Sequence, residues 1–179
     1  VILLIPDSST DDILERFAID EKIKFFRGNE KNCLDRHYQA AKYFDIDTFA
    51  KTTSDCCLID SRVIGEVIEL YFSNSSNCDY VSNICPPTFP DGLDIEVLNF
   101  STLTKTWELA KSDFDKEHTT TFIRNNPNLF KIINHEHSKS NLFKKHRWCL
   151  DFDDDYLFIK TIFEKLYLNN NNFSMENIL

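Results

Sequence analysis

Apolar runs and helix-spaced apolar stripes alternate along nearly the whole chain. "VILLIP" (1–6) reads as a buried strand, and "TDDILERFAI" (10–19) as a helix capped by Ser9 or Thr10, with Asp11 and Asp12 favouring its first turn. "KIKFFRG" (22–28) predicts a second strand. The pattern of "NCLDRHYQAAKYF" (32–44) places Leu34, Tyr38 and Ala41 on one helical face, with Cys33 and His37 beside them. "DTFAKTT" (47–53) predicts a third strand. A polar gap containing Asp55 follows, and Asp60 then caps a helix whose stripe is Val63, Ile64, Val67, Ile68 and Tyr71.

Farther along, "CDYVSNI" (78–84) and "IEVLNF" (95–100) read as strands flanking the turn-rich loop "CPPTFPDGLD". Helices are predicted over "STLTKTWELAKS" (101–112) and over "EHTTTFIRNNP" (117–127), the latter stopped by Pro127. "LFKIINH" and "HRWCLD" (146–151) predict two more strands, and "DDYLFIKTIFEKLYL" (154–168) a last amphipathic helix. Strand and helix alternation in the first half implies an α/β fold with a mostly parallel sheet and helices on both faces. We expect one domain over residues 1–168 and a polar tail or linker over 169–179.

Composition narrows the function. Twenty basic against 29 acidic residues give a net charge of −9, the wrong sign for holding nucleic acid or an anionic membrane. A phosphate ligand would need help from a divalent cation held by carboxylates. The three glycines, Gly28, Gly65 and Gly92, lie far apart, so no glycine-rich phosphate loop is present. Six cysteines without CxxC or zinc-type spacing read as reduced, mostly buried small residues. No apolar run is long enough for a membrane span, and a cytoplasmic protein is expected.

Several residues carry possible chemistry. Asp55 follows a predicted strand, where α/β proteins bind ligands; an ordinary turn or cap residue is the alternative. Asp151 opens the acidic run "DFDDD", of which Asp153, Asp154 and Asp155 read as a helix start, with Asp153 the expected cap. In "PDGLDIEV", Asp91, Asp94 and Glu96 alternate with apolar residues, as in a half-buried strand or a strand presenting acids to a ligand. Arg36, Arg124 and Arg147 suit anionic substrate groups, or structural ion pairs, which for Arg36 is the stronger reading. His118 beside Glu117 reads as a structural or substrate-positioning histidine.

These residues fall in blocks resembling the SpsF-type cytidylyltransferases, relatives of the enzymes that make CMP-activated acidic sugars. "FFRGNEKNCLDRHYQAAKYF" resembles that family's FRG-x-E-x-x-V-LDRYYQAA block, and "TSDCCLID" its TGDCPLID block. "DYVSN" with "FPDGLDIEV" is similar to DYVSN and YPDGLDVEV, and "EHTTTFIRNNP" with "HRWCLDFDDDYLFI" to EHVTPYIR and RWTVDEPEDF. The resemblance implies a Rossmann-like three-layer α/β/α nucleotide-diphosphosugar transferase fold and transfer of CMP from CTP to a sugar, acidic sugar or polyol phosphate in surface polysaccharide synthesis. It implies Mg²⁺ held by Asp55 and Asp151, acceptor contact by Asp94 and Glu96, and a possible homodimer. The family's first strand and triphosphate-holding loop find no match, so the first βα unit is expected to be missing from this chain, which opens on Val1. Ser54, Cys57 and Thr121 stand where the family has Gly, Pro and Pro, and Cys149 where it has Thr. A non-catalytic scaffold of the same fold, and a glycosyltransferase using a preformed sugar nucleotide, are the alternative functions.

Overall fold

The structure is a computed structural model that describes residues 1–179. In chain order its elements are β1 (Ile2–Pro6), α1 (Asp12–Asp20), β2 (Lys24–Gly28), α2 (Cys33–Tyr43), β3 (Thr48–Lys51), α3 (Ser61–Ser73), β4 (Tyr80–Ser82) and β5 (Glu96–Asn99). They continue with α4 (Phe100–Leu109), α5 (Asp113–Glu117), α6 (Thr121–Asn125), β6 (Ile132–Asn134), α7 (Asp153–Leu166) and α8 (Met175–Ile178). No helix is long and apolar enough to cross a membrane. The fold is α/β with largely parallel sheets: β1 pairs parallel with β2, and β6 parallel with β4, while β4 and β5 run antiparallel in a sheet of order β3-β5-β4-β6.

The chain forms two compact units, Val1–Phe49 with Asn99–Phe130 and Ala50–Leu98 with Lys131–Leu179. In the first, Arg27 on β2 ties down the segment after β1, donating to the Pro6 and Ser8 carbonyls and to the carboxylates of Asp12 and Glu15 on α1. The α2 helix starts at Asn32, whose side chain accepts from the Asp35 amide. It joins α4 through an aromatic stack in which Tyr38 lies between Trp107, centroids 4.4 Å apart, and Phe100, 5.5 Å apart. The α4 cap is Asn99, whose carboxamide oxygen accepts the Thr102 amide.

Of the helix expected over 117–127, only α6 (Thr121–Asn125) forms beyond Glu117, the last residue of α5. A left-handed Thr119 (φ 45°) breaks it between α5 and α6, because that β-branched residue cannot continue a right-handed turn at positive φ.

The second unit holds a core of Leu58, Val63, Val67, Tyr71, Val81, Ile95, Val97 and Trp148, with Ile64 and Ile68 packed on its edge. The expected α3 stripe is therefore the face that packs. Asp60, almost fully buried, caps α3 by accepting the Arg62 amide at 2.8 Å, and its second oxygen accepts the Met175 amide at 2.7 Å. Residues 169–179, read as a polar tail or linker, thus end in a short helix whose Met175 belongs to this core. At α7 the cap position is Phe152 rather than Asp153; Asp155 turns back to accept the Phe152 and Asp151 amides. All six cysteines are free thiols, with Cys56, Cys78 and Cys149 buried.

"HRWCLD" is not a strand. Its backbone groups bond to two loops, one at Asp91 and one at Asp55, so no regular ladder forms apart from an isolated Asp91–Arg147 bridge.

Candidate functional site

That irregular segment builds the site in the second unit. The Asp91 amide donates to the His146 carbonyl (3.0 Å) and the Trp148 amide to the Asp91 carbonyl (2.7 Å). The Leu150 amide then donates to the Asp55 carbonyl (3.0 Å), so Asp151 follows directly on a backbone joined to Asp55. Gly92 makes the approach possible. A Cβ there would lie 2.8 Å from the Trp148 carbonyl carbon and 3.0 Å from the Cys149 nitrogen, and its φ of +106° suits glycine alone. On the other side Asn83, fully buried, clamps the loop by donating to the Leu93 carbonyl (2.7 Å) and accepting the Ile95 amide (3.0 Å).

Acidic groups gather around this frame. Burial first, then the charges of Asp91, Glu96 and Asp55, raise the Asp94 carboxyl to about 6, while Lys51 opposes the shift. Burial, then Asp91, pushes the Cys149 thiol far above its usual range. Burial also raises Cys56, against the opposing hydrogen bonds of Thr53 and of the Asp94 backbone. Neither thiol is a thiolate near neutral pH, so neither serves as a nucleophile. Asp55 Oδ1 is buried without a hydrogen-bond partner, an arrangement costly for a carboxylate unless a cation completes it.

No group of three or more His, Cys, Asp or Glu side chains is arranged to hold a metal by itself. Mg²⁺, however, needs only one or two carboxylates when substrate phosphates and water supply the remaining oxygens. The orphaned Asp55 oxygen fits that role; Asp151, on the adjoining backbone, has one carboxylate oxygen engaged by Arg147.

The other expected site residues are placed as follows. Arg147 is paired with Asp151 and with Asp155 (2.7 Å), so its guanidinium is committed within the protein; the Arg147 bond holds the Asp155 carboxyl below its usual range. Glu96, expected to touch an acceptor, is 4% exposed and has both oxygens occupied, one by Lys51 Nζ (2.6 Å) and one by the Tyr80 hydroxyl (2.5 Å). Burial therefore turns Glu96 toward the protein.

Arg36, His118 and Arg124 belong to the first unit. Arg36 is buried without the ion pair expected of it. It donates to the Asn29 carbonyl (2.5 Å) and the Cys33 sulfur (3.3 Å), leaving Nε unpaired. Arg124 donates to the Thr121 hydroxyl (3.3 Å), its buried Nε also without a partner. His118 is exposed at the end of α5, edge-on to Phe114.

Lys51, Tyr80 and Asn83 are absent from the residues the sequence singles out. Their one signal is position: Lys51 closes the strand before Asp55, and Tyr80 and Asn83 lie in the "DYVSN" block.

Comparison with known proteins agrees with this frame. The cytidylyltransferase family model matches residues 6–177. The spore coat polysaccharide biosynthesis protein SpsF of Bacillus subtilis is 28% identical over 166 residues, which are 92% of this chain and 67% of that protein. An uncharacterized protein of Methanocaldococcus jannaschii is 39% identical over 111 residues, 62% of this chain and 44% of its own length. The chain thus spans less than half of one curated relative and about two thirds of the other. The solved structure of a cytidylyltransferase from Leptospira borgpetersenii serovar Hardjo-bovis superposes with a TM-score of 0.92 at 27% identity, over 99% of this chain and 73% of that one. The chain belongs to the cytidylyltransferase family, in its SpsF-like branch, and has that family's Rossmann-like α/β fold.

Proposed function

We propose that this chain carries the catalytic site of a Mg²⁺-dependent cytidylyltransferase that transfers CMP from CTP to a sugar-type acceptor in polysaccharide biosynthesis. An acceptor oxygen attacks the α-phosphorus, the α–β phosphoanhydride bond breaks, and pyrophosphate leaves with the bonding pair. Mg²⁺ bound to Asp55 and Asp151 would neutralise phosphate charge and orient the transferring group. Asp91 and Asp94 line the acceptor side, where Gly92 and Asn83 fix the loop that carries them.

The observation that carries this reading is the buried, partnerless Asp55 Oδ1, on a residue whose backbone carbonyl accepts the Leu150 amide, one position before Asp151. The experiment is pyrophosphate release from CTP with a panel of sugars, sugar acids and polyol phosphates, with and without Mg²⁺. Wild type is expected to need Mg²⁺, and Asp55→Asn to lose at least about a hundredfold in rate, the scale of one lost charge-stabilising contact. Equal rates in Asp55→Asn, or product formed from a preformed sugar nucleotide without CTP, would sink the reading.

A further inference from the structure

We propose that Lys51 is a substrate-binding residue whose ammonium takes a phosphate or carboxylate oxyanion of a substrate, on a mount built by Glu96 and Tyr80. The proposal rests on the reading of the second unit's carboxylate cluster as a nucleotidyl-transfer site.

Lys51 ends β3, its side chain 12% exposed, with Nζ 2.6 Å from Glu96 Oε1. Glu96 in turn accepts from Tyr80, which is completely buried. An ion pair withdrawn this far from water is a weak stabiliser. Desolvation of the two ions offsets their attraction, and well-packed apolar replacements are often as stable. What the arrangement does achieve is to fix an ammonium in one place. A flexible lysine loses rotamer freedom when it is immobilised on a ligand, and Glu96 with Tyr80 has already imposed that loss on Lys51.

Two observations point from this mount toward a ligand. An ammonium has three N–H donors and one of them is spent on Glu96; the charge also acts on Asp94. Ser82 stands directly opposite Glu96 in the β4–β5 ladder, so their side chains share a sheet face. It is fully buried, and its hydroxyl has no partner in the protein. An oxyanion entering beside Asp55, Asp91 and Asp94 meets three like charges. Arg147 already serves two carboxylates, Asp151 and Asp155, whereas Lys51 is bonded to Glu96 alone and keeps two N–H donors. Lys51 supplies the fixed positive charge that makes such an approach favourable.

The oxyanion has two possible sources, the nucleotide's phosphates or an anionic group on the acceptor, and isothermal titration of the full chain separates them. The probes are CTP with Mg²⁺, glucuronate, and glucose as the neutral control. Lys51→Met is expected to weaken CTP or glucuronate at least tenfold, the affected probe naming the source, with glucose unchanged. Because Lys51→Met strands a buried carboxylate, the double variant Lys51→Met/Glu96→Gln supplies a neutral pair that folds, and it is expected to show the same loss. Glu96→Gln alone keeps the ammonium but loosens its mount, and is expected to bind the oxyanion more weakly than wild type yet more tightly than Lys51→Met. Three results overturn the proposal: the double variant binding both probes like wild type, Glu96→Gln losing the oxyanion as fully as Lys51→Met, or wild type binding neither probe. Binding without pyrophosphate release would instead count against the cytidylyltransferase reading and leave the Lys51 assignment standing.

Discussion

Asp94→Asn should make the protein more stable at neutral pH while impairing its chemistry. The Asp94 carboxyl titrates at about 6 in the folded chain against an ordinary 3.8, so about two pKa units separate the two states. At 1.36 kcal/mol per unit the ionised side chain costs the folded state up to about 3 kcal/mol, and residual solvent screening brings the expected figure to roughly 1–3 kcal/mol. Between pH 3.8 and 6 the folded state holds a proton that the unfolded state has lost, so this group's contribution to stability falls as pH rises through that window. The amide cannot ionise and escapes the effect. Urea unfolding of wild type and variant from pH 4 to pH 8 should therefore show near-equal stability at pH 4. The variant's advantage should grow to pH 6 and level off above it. Acceptor-dependent pyrophosphate release by the variant should fall over the same range. A stability difference that does not change with pH, or a variant less stable at pH 7, would refute the electrostatic account of this carboxylate.

Gly92→Ala should cost about 2–4 kcal/mol, since it combines a strained positive φ with a Cβ driven into the Trp148–Cys149 backbone; thermal unfolding should fall by roughly 4–16 °C. Pyrophosphate release should fall more than stability explains, because the displaced backbone also carries Asp151. Asp60→Ala removes the α3 cap and a charged acceptor for the buried Met175 amide, together about 2–4 kcal/mol, and hydrogen exchange should show residues 174–178 opening before α3. Protection in that segment equal to wild type would show that packing, not Asp60, holds it.

Much of the fold is legible because its signals are local. The α3 helix announces itself through Asp60 and an apolar stripe at helical spacing, and both behave in the structure as the pattern predicts. The failures occur where partners come from far away. "HRWCLD" alternates like a strand, yet its amide and carbonyl groups are taken by the Asp55 and Asp91 loops, which periodicity cannot anticipate. The run "HTTT" reads as helix on either side of Thr119, and only the backbone angle at that residue shows the break. The tail looks loose because "NNNN" is polar, while the residue that anchors it, Met175, finds its acceptor 115 positions earlier.

The same distinction decides which parts of the site could be read. Asp55, Asp91 and Asp94 are visible as acids at strand ends and turns, positions where the chain leaves regular structure and side chains face a ligand rather than a ladder. Glu96 carries the same chemistry one alternation further on, but there the chain has entered β5, and a carboxylate inside a buried strand must find partners in the protein. Lys51, 45 residues away, is one of those partners, so the residue that looked like a ligand contact and the residue that looked like an ordinary strand end exchange roles. Burial decides between them. An acid at a loop can leave an oxygen unpaired, as Asp55 does, whereas an acid in a strand interior spends both oxygens on holding something else in place.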